Sequence, residues 1–147
     1  MSTPQPEAAV RYEKRYFNGQ GGFRVVFDER SRATMSFDGK GTMEGTHALV
    51  EVLEEVERLM RPGEKVDACV DLSQMDGAPL RSQFVLGKWM VERRQKFGRL
   101  AIYGGKAIEM GVARAVMKIA GIQSVGFFDT ETQARAWLER GAAPGSQ

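Results

Sequence analysis

The residues best suited to chemistry lie in one short stretch, residues 65–79, KVDACVDLSQMDGAP. Asp71, Ser73 and Asp76 supply two carboxylates and a hydroxyl, and Gly77 admits the positive φ of a tight turn. Groups of this kind can satisfy backbone donors at a turn and cap the helix that follows, or they can face a partner. Upstream, Val66, Ala68, Val70 and Leu72 read as a central strand. The polar residues therefore fall at the C-terminal end of a strand, where open α/β sheets put their sites. The strand is expected to break at residues 71–73, leaving 71–79 as a loop.

Beyond this loop the catalytic inventory is thin. The chain has one histidine, His47, and one cysteine, Cys69. A zinc site of Cys and His ligands needs more of both. No G-x-S-x-G, H-E-x-x-H or Walker A pattern occurs. No enzyme and no cofactor are expected. Cys69, inside the proposed strand, reads as a small buried apolar residue, and no internal disulfide is possible. His47 reads as a surface residue of an acidic helix.

Two further constellations have a functional and a structural reading. Trp89, Met90 and Phe97, with Met110 and Met117, could line a pocket for an apolar ligand; at helical spacing such residues also simply form core. The charges are segregated. Residues 38–78 carry ten carboxylates against four Lys/Arg, and residues 79–120 carry nine Lys/Arg against two carboxylates. Lys88, Arg93, Arg94, Lys96, Arg99, Arg114 and Lys118 could form a cationic face toward an acidic protein or anionic lipid headgroups, or could be solvated helix faces. With few interleaved aromatics and a net charge of only +2, no nucleic-acid partner is expected. Gly104-Gly105-Lys106 reads better as a tight turn than as an anion site.

The elements that must hold these residues follow from periodicity and punctuation. At 147 residues, the chain is long enough for one domain with a proper core. Residues 1–9 and 141–147 read as flexible tails around a single domain, 10–140. The first nine lack the pattern of a secretory leader, and no apolar run is long enough to span a bilayer, so a cytoplasmic location is expected. Strands are expected at 10–17, 23–28 and 32–37, the last two forming a hairpin. Thr42 suits the N-cap of a long helix, in which Leu49, Leu53, Val56 and Met60 make one apolar stripe and Glu54 and Arg58 stand four apart. Pro62-Gly63 stops it. After the central strand come a helix over 80–97, a strand over 99–103, a helix over 106–120 and a strand over 122–128. Thr130 and Gln133 then have capping-box spacing for a last helix ending at Gly141. Alternation in the second half requires parallel strands, so the fold class is α/β, a mixed sheet with an N-terminal strand meander and β-α-β crossovers.

Two pieces of this pattern resemble a known family. Phe37-Asp38-Gly39 before the long acidic helix, and Val70-Asp71-Leu72-Ser73 before Met75-Asp76-Gly77, resemble a STAS domain, the anti-sigma-factor-antagonist fold. The second half, with residues 98–103, 125–128 and 131–138, is similar to the SpoIIAA-like branch, which is related to CRAL-TRIO lipid-binding domains. The resemblance covers residues 23–140. It departs at one place: phosphorylatable antagonists carry a serine pair after the loop aspartate, whereas Asp76 is followed by Gly77, Ala78 and Pro79. The usual phosphorylation switch is therefore not expected.

The reading is a non-enzymatic binding or regulatory module. In it a protein partner reads Asp71, Ser73, Asp76 and Gly77 and is steered by Arg93, Arg94 and Lys96. The alternative, which the resemblance also implies, is a carrier or sensor of a small apolar or lipid ligand around Trp89, Met90 and Phe97. A homodimer through an edge strand of the hairpin is a further possibility.

Overall fold

The computed structural model describes residues 8–142. Its centre is a six-stranded sheet in simple sequence order, β1 (Val10–Phe17), β2 (Gly21–Asp28), β3 (Arg32–Gly39), β4 (Val66–Met75), β5 (Phe97–Tyr103) and β6 (Val125–Phe128). β1, β2 and β3 form an antiparallel meander, and β3 to β6 are parallel. The helices α1 (Met43–Leu59), α2 (Leu80–Val91) and α3 (Ala107–Ala120) are the three crossovers, and α4 (Glu131–Ala142) follows the last strand. This is the mixed α/β architecture expected from the alternation.

Alternation along the central strands sorts the two faces. Ala68, Val70 and Leu72 of β4 and Leu100 and Ile102 of β5 join the main core, with Leu49 and Val56 of α1, Met90 of α2 and Val116 of α3. Cys69, Ala101 and Tyr103 point the other way, onto Ala134 and Leu138 of α4. Among the described residues, one face carries three helices and the other only α4.

Several boundaries differ from the sequence reading, each for a tertiary reason. β4 does not break at 71–73 but runs to Met75, because the end of β3 continues beside it (Asp38 with Gln74, Gly39 with Met75) past an irregularity after Ser36. The true loop is therefore only residues 76–79. α2 ends at Val91 rather than at 97; Arg93 leaves the helical region, a short 3-10 turn follows, and Phe97 opens β5 opposite Val66. β6 starts at Val125 because Ile122 closes α3: its N–H reaches the Met117 carbonyl past Gly121, at φ 71°. Arg58 pairs with Glu55 at 2.6 Å, not with Glu54. α4 continues through Ala142, past Gly141. The hairpin strands are both interior, since β1 covers β2 and β4 covers β3, so the edges lie on β1 and β6 instead. The expected tails lie mostly outside the described residues.

Candidate functional site

The C-terminal edge of the sheet holds the first group of candidates. Asp71 is half-buried and its Oδ1 accepts from the Ser73 N–H at 2.8 Å, so one of its oxygens serves the backbone. Ser73 and Asp76 are exposed, Asp76 with only a loose approach to Lys106 Nζ at 3.5 Å. Gly77 stands at φ 86°, and its carbonyl accepts from the Gly41 N–H at 2.9 Å, stitching this loop to the start of α1.

The cations expected to work with that loop sit elsewhere. They follow the end of α2, and twelve residues of helix at ~1.5 Å each put about 18 Å between the two groups. Arg93 donates from Nε to Glu57 Oε1 at 3.0 Å and from Nη1 to the Trp89 carbonyl at 3.1 Å, with its guanidinium 4.3 Å from the Trp89 ring centroid. Lys96 donates to the other Glu57 oxygen at 2.6 Å. Burial pushes the Glu57 carboxyl up, but hydrogen bonds from Lys96 and Arg93 outweigh it and hold it below its ordinary value. Arg93 and Lys96 are thus committed to Glu57, while Arg94 is exposed. The seven residues read as one partner surface fall into two groups at opposite ends of α2.

Between these ends lies a partly open cavity of about 200 Å³, lined by the sheet, α1, α2 and α3. Trp89, Met90 and Phe97 all line it, with Met117; Met110 does not. Trp89 and Phe97 meet edge to face at 6.5 Å. Two residues of the mostly apolar lining, which also includes Thr46, Glu57, Ser82, Gln83, Arg93 and Lys96, carry unpartnered polar atoms. Trp89 Nε1 and Glu109 Oε1 are buried and have no hydrogen-bond partner among the described residues, although Glu109 is only 3% exposed. Glu109 lies in the first turn of α3 and Trp89 near the end of α2, and both helices run away from the C-terminal edge, so these atoms belong to opposite ends of the cavity. Ser82, by contrast, is satisfied, accepting from the Thr46 hydroxyl at 2.7 Å.

Glu109 was missed by sequence reasoning, yet a signal existed. It is the one carboxylate in α3 and shares the stripe of Val112, Ala113 and Val116, where helical spacing puts core. The other inventory is quiet. His47 is exposed, and Cys69 is buried, its thiol pushed up by desolvation. The Gly104 N–H, at the turn before α3, is taken by the Phe128 carbonyl at 3.2 Å. Among the described residues, no cluster of His, Cys, Asp or Glu could hold a metal ion, and no helix is long and apolar enough to cross a membrane.

The model of one protein family, described as SpoIIAA-like, matches residues 32–139. The chain belongs to the SpoIIAA-like family. This SpoIIAA-like chain also matches a crystal structure from Shewanella loihica PV-4, described as an uncharacterized protein from the DUF3478 family with a SpoIIAA-like fold. The match has a TM-score of 0.58 at 17% identity and covers 93% of this chain and 99% of that one. No curated protein matches. The likeness in structure is one of fold. Membership in the SpoIIAA-like family suggests a regulatory domain, in a fold family that is generally non-enzymatic.

Proposed function

We propose that this chain is a non-enzymatic regulatory module whose signal is a small apolar molecule held between the sheet and α1–α3. The observation that carries this reading is the cavity, about 200 Å³ and mostly apolar, whose lining residues Trp89 and Glu109 carry buried, unpartnered polar atoms. A mostly apolar cavity can take an apolar guest; one of about 150 Å³ lined by Leu, Ile and Phe binds benzene. The volume suits a single aromatic ring or a short alkyl chain and is too small for a whole phospholipid. A ligand hydroxyl could accept from Trp89 Nε1 or donate to Glu109 Oε1, which would relieve the cost of leaving either atom unpaired. Occupancy would fix α1 against α2, whose first residues adjoin the stitched loops at Gly41 and Gly77.

The test is fluorescence in a Trp137→Phe background, which leaves Trp89 as sole reporter. Saturable changes with benzyl alcohol, indole or octanol, together with a rise in melting temperature, are expected. Ala113→Phe, which fills the cavity, should abolish both. A flat response across the whole panel would sink the reading.

A second reading, a protein partner at the β4–α2 loop, is favoured by the exposure of Ser73 and Asp76. It predicts that Asp76→Lys removes partner capture and leaves the fold intact. Unchanged capture counts against it.

A further inference from the structure

The outward surface of α2 and α3 carries a separate feature. α2 contains no acidic residue, and the one carboxylate of α3 is the buried Glu109. Arg81, Lys88, Arg114 and Lys118 are exposed on these helices, and none pairs with a carboxylate among the described residues. Arg81 and Lys88 stand seven apart on one ridge, while Arg114 and Lys118 stand four apart on the other. The nearest acidic residues in sequence, Asp76 and Glu92, lie outside the helices at the two ends of α2.

Between the ridges runs an apolar seam. At its lower end the helices touch: a Cβ at Gly87 would lie 2.6 Å from Ile119 Cγ2. Leu80 and Phe84 share the helical stripe of Gly87, and Ile108 shares that of Ile119. These upper residues are not covered. Leu80 is 66% exposed, Phe84 55% and Ile108 74%, three of the six large apolar side chains the described residues leave open. Open apolar side chains on facing stripes, beside cations without carboxylate partners, suit a surface that meets more than water.

We infer that the α2–α3 face docks on an anionic lipid bilayer, with Leu80, Phe84 and Ile108 entering the acyl boundary and the two cationic ridges meeting headgroups. Two requirements of an interfacial surface coincide here: apolar side chains that can enter at shallow depth, and exposed Lys/Arg without carboxylate partners, Arg114 resting its guanidinium 4.5 Å from the Phe127 ring centroid. An acidic protein would match the cations but leave no account of the open apolar side chains beside them. The inference does not depend on a ligand in the cavity.

Vesicle sedimentation of the full chain tests it. Vesicles of phosphatidylcholine with about 30 mol % phosphatidylglycerol should bind at least about tenfold more tightly than phosphatidylcholine alone at ~0.1 M salt, and the difference should shrink as salt rises. Lys88→Glu with Lys118→Glu should remove about tenfold of that affinity. Phe84→Ser with Ile108→Ser should weaken binding to both kinds of vesicle. All four positions are exposed, so circular dichroism should show each double variant folded. Equal binding to the two vesicles, no binding to either, or double variants that bind like the parent would overturn the inference. Capture by immobilised polyglutamate without vesicle binding would overturn it in favour of an acidic protein.

Discussion

Arg11 reaches Glu64 across 53 positions of sequence, donating to both carboxylate oxygens at 2.9 and 2.6 Å. Their side chains are 7% and 10% exposed. The Ser31 hydroxyl and the Arg61 N–H add donors to the same carboxylate, and the Arg11 guanidinium lies 4.6 Å from the Phe27 ring centroid. The bond from Arg11 dominates the opposing effect of burial and holds the Glu64 carboxyl at about 2, from an ordinary 4.5. A depressed carboxyl stabilises the fold fully above its unfolded value and loses that contribution as pH falls through its folded one. The window is therefore pH 4.5 down to 2. The contribution is on the order of 3 kcal/mol. Glu64→Gln should lower stability in urea by about 2–3 kcal/mol at neutral pH, and flatten the acid dependence across that window. A variant whose acid dependence matches the parent would show that the pair contributes nothing.

At the scale of elements, α2 and α3 make opposite demands on two glycines. Gly87 is where α3 comes closest, with Ile119 Cγ2 2.6 Å and Ile119 Cβ 2.8 Å from an added Cβ. Gly111, inside α3, meets nothing within 4 Å. Alanine gains about 0.5–1 kcal/mol over glycine inside a helix, and overpacking costs about 1–3 kcal/mol. Gly111→Ala should therefore raise the melting temperature, and Gly87→Ala should lower it. If both variants move the same way, the α2–α3 contact does not limit Gly87. These helices also show what the sequence discloses. Helix existence was legible from apolar stripes, and the last cap from local spacing: Gln133 N–H reaches Thr130 Oγ1 at 3.3 Å and Thr130 N–H reaches Gln133 Oε1 at 3.3 Å. The run of β4 to Met75 was not legible, because it depends on what β3 does beside it. Nor was the capture of Arg93 and Lys96 by Glu57, residues on separate elements whose charges cancel only in three dimensions. Trp89, Met90 and Phe97 were legible as a group, but the cavity beside them was not.

For the whole molecule, the unequal layers matter most. The main core spans three helices, while the second face depends on α4 through Ala134, Leu138 and the half-buried Trp137. Arg99 adds a clamp, its guanidinium 3.7 Å from the Trp137 ring centroid and its Nη1 donating to the Trp137 carbonyl at 2.8 Å. A layer with few apolar anchors is a natural unit of local opening. Cys69 reports on it, since it lies beneath α4 and is 1% exposed. Leu138→Ala should cost about 2–5 kcal/mol and, at the low end, speed thiol labelling of Cys69 by about 30-fold under native conditions. Leu49→Ala, on the opposite face, is the control, because it weakens the main core at comparable cost. If α4 opens on its own, Leu49→Ala leaves labelling unchanged, because the global state it favours is rarer than the local one that exposes the thiol. Equal acceleration by both substitutions would instead show that the two layers open only together, and that α4 is as much a part of the cooperative fold as the three helices on the cavity side.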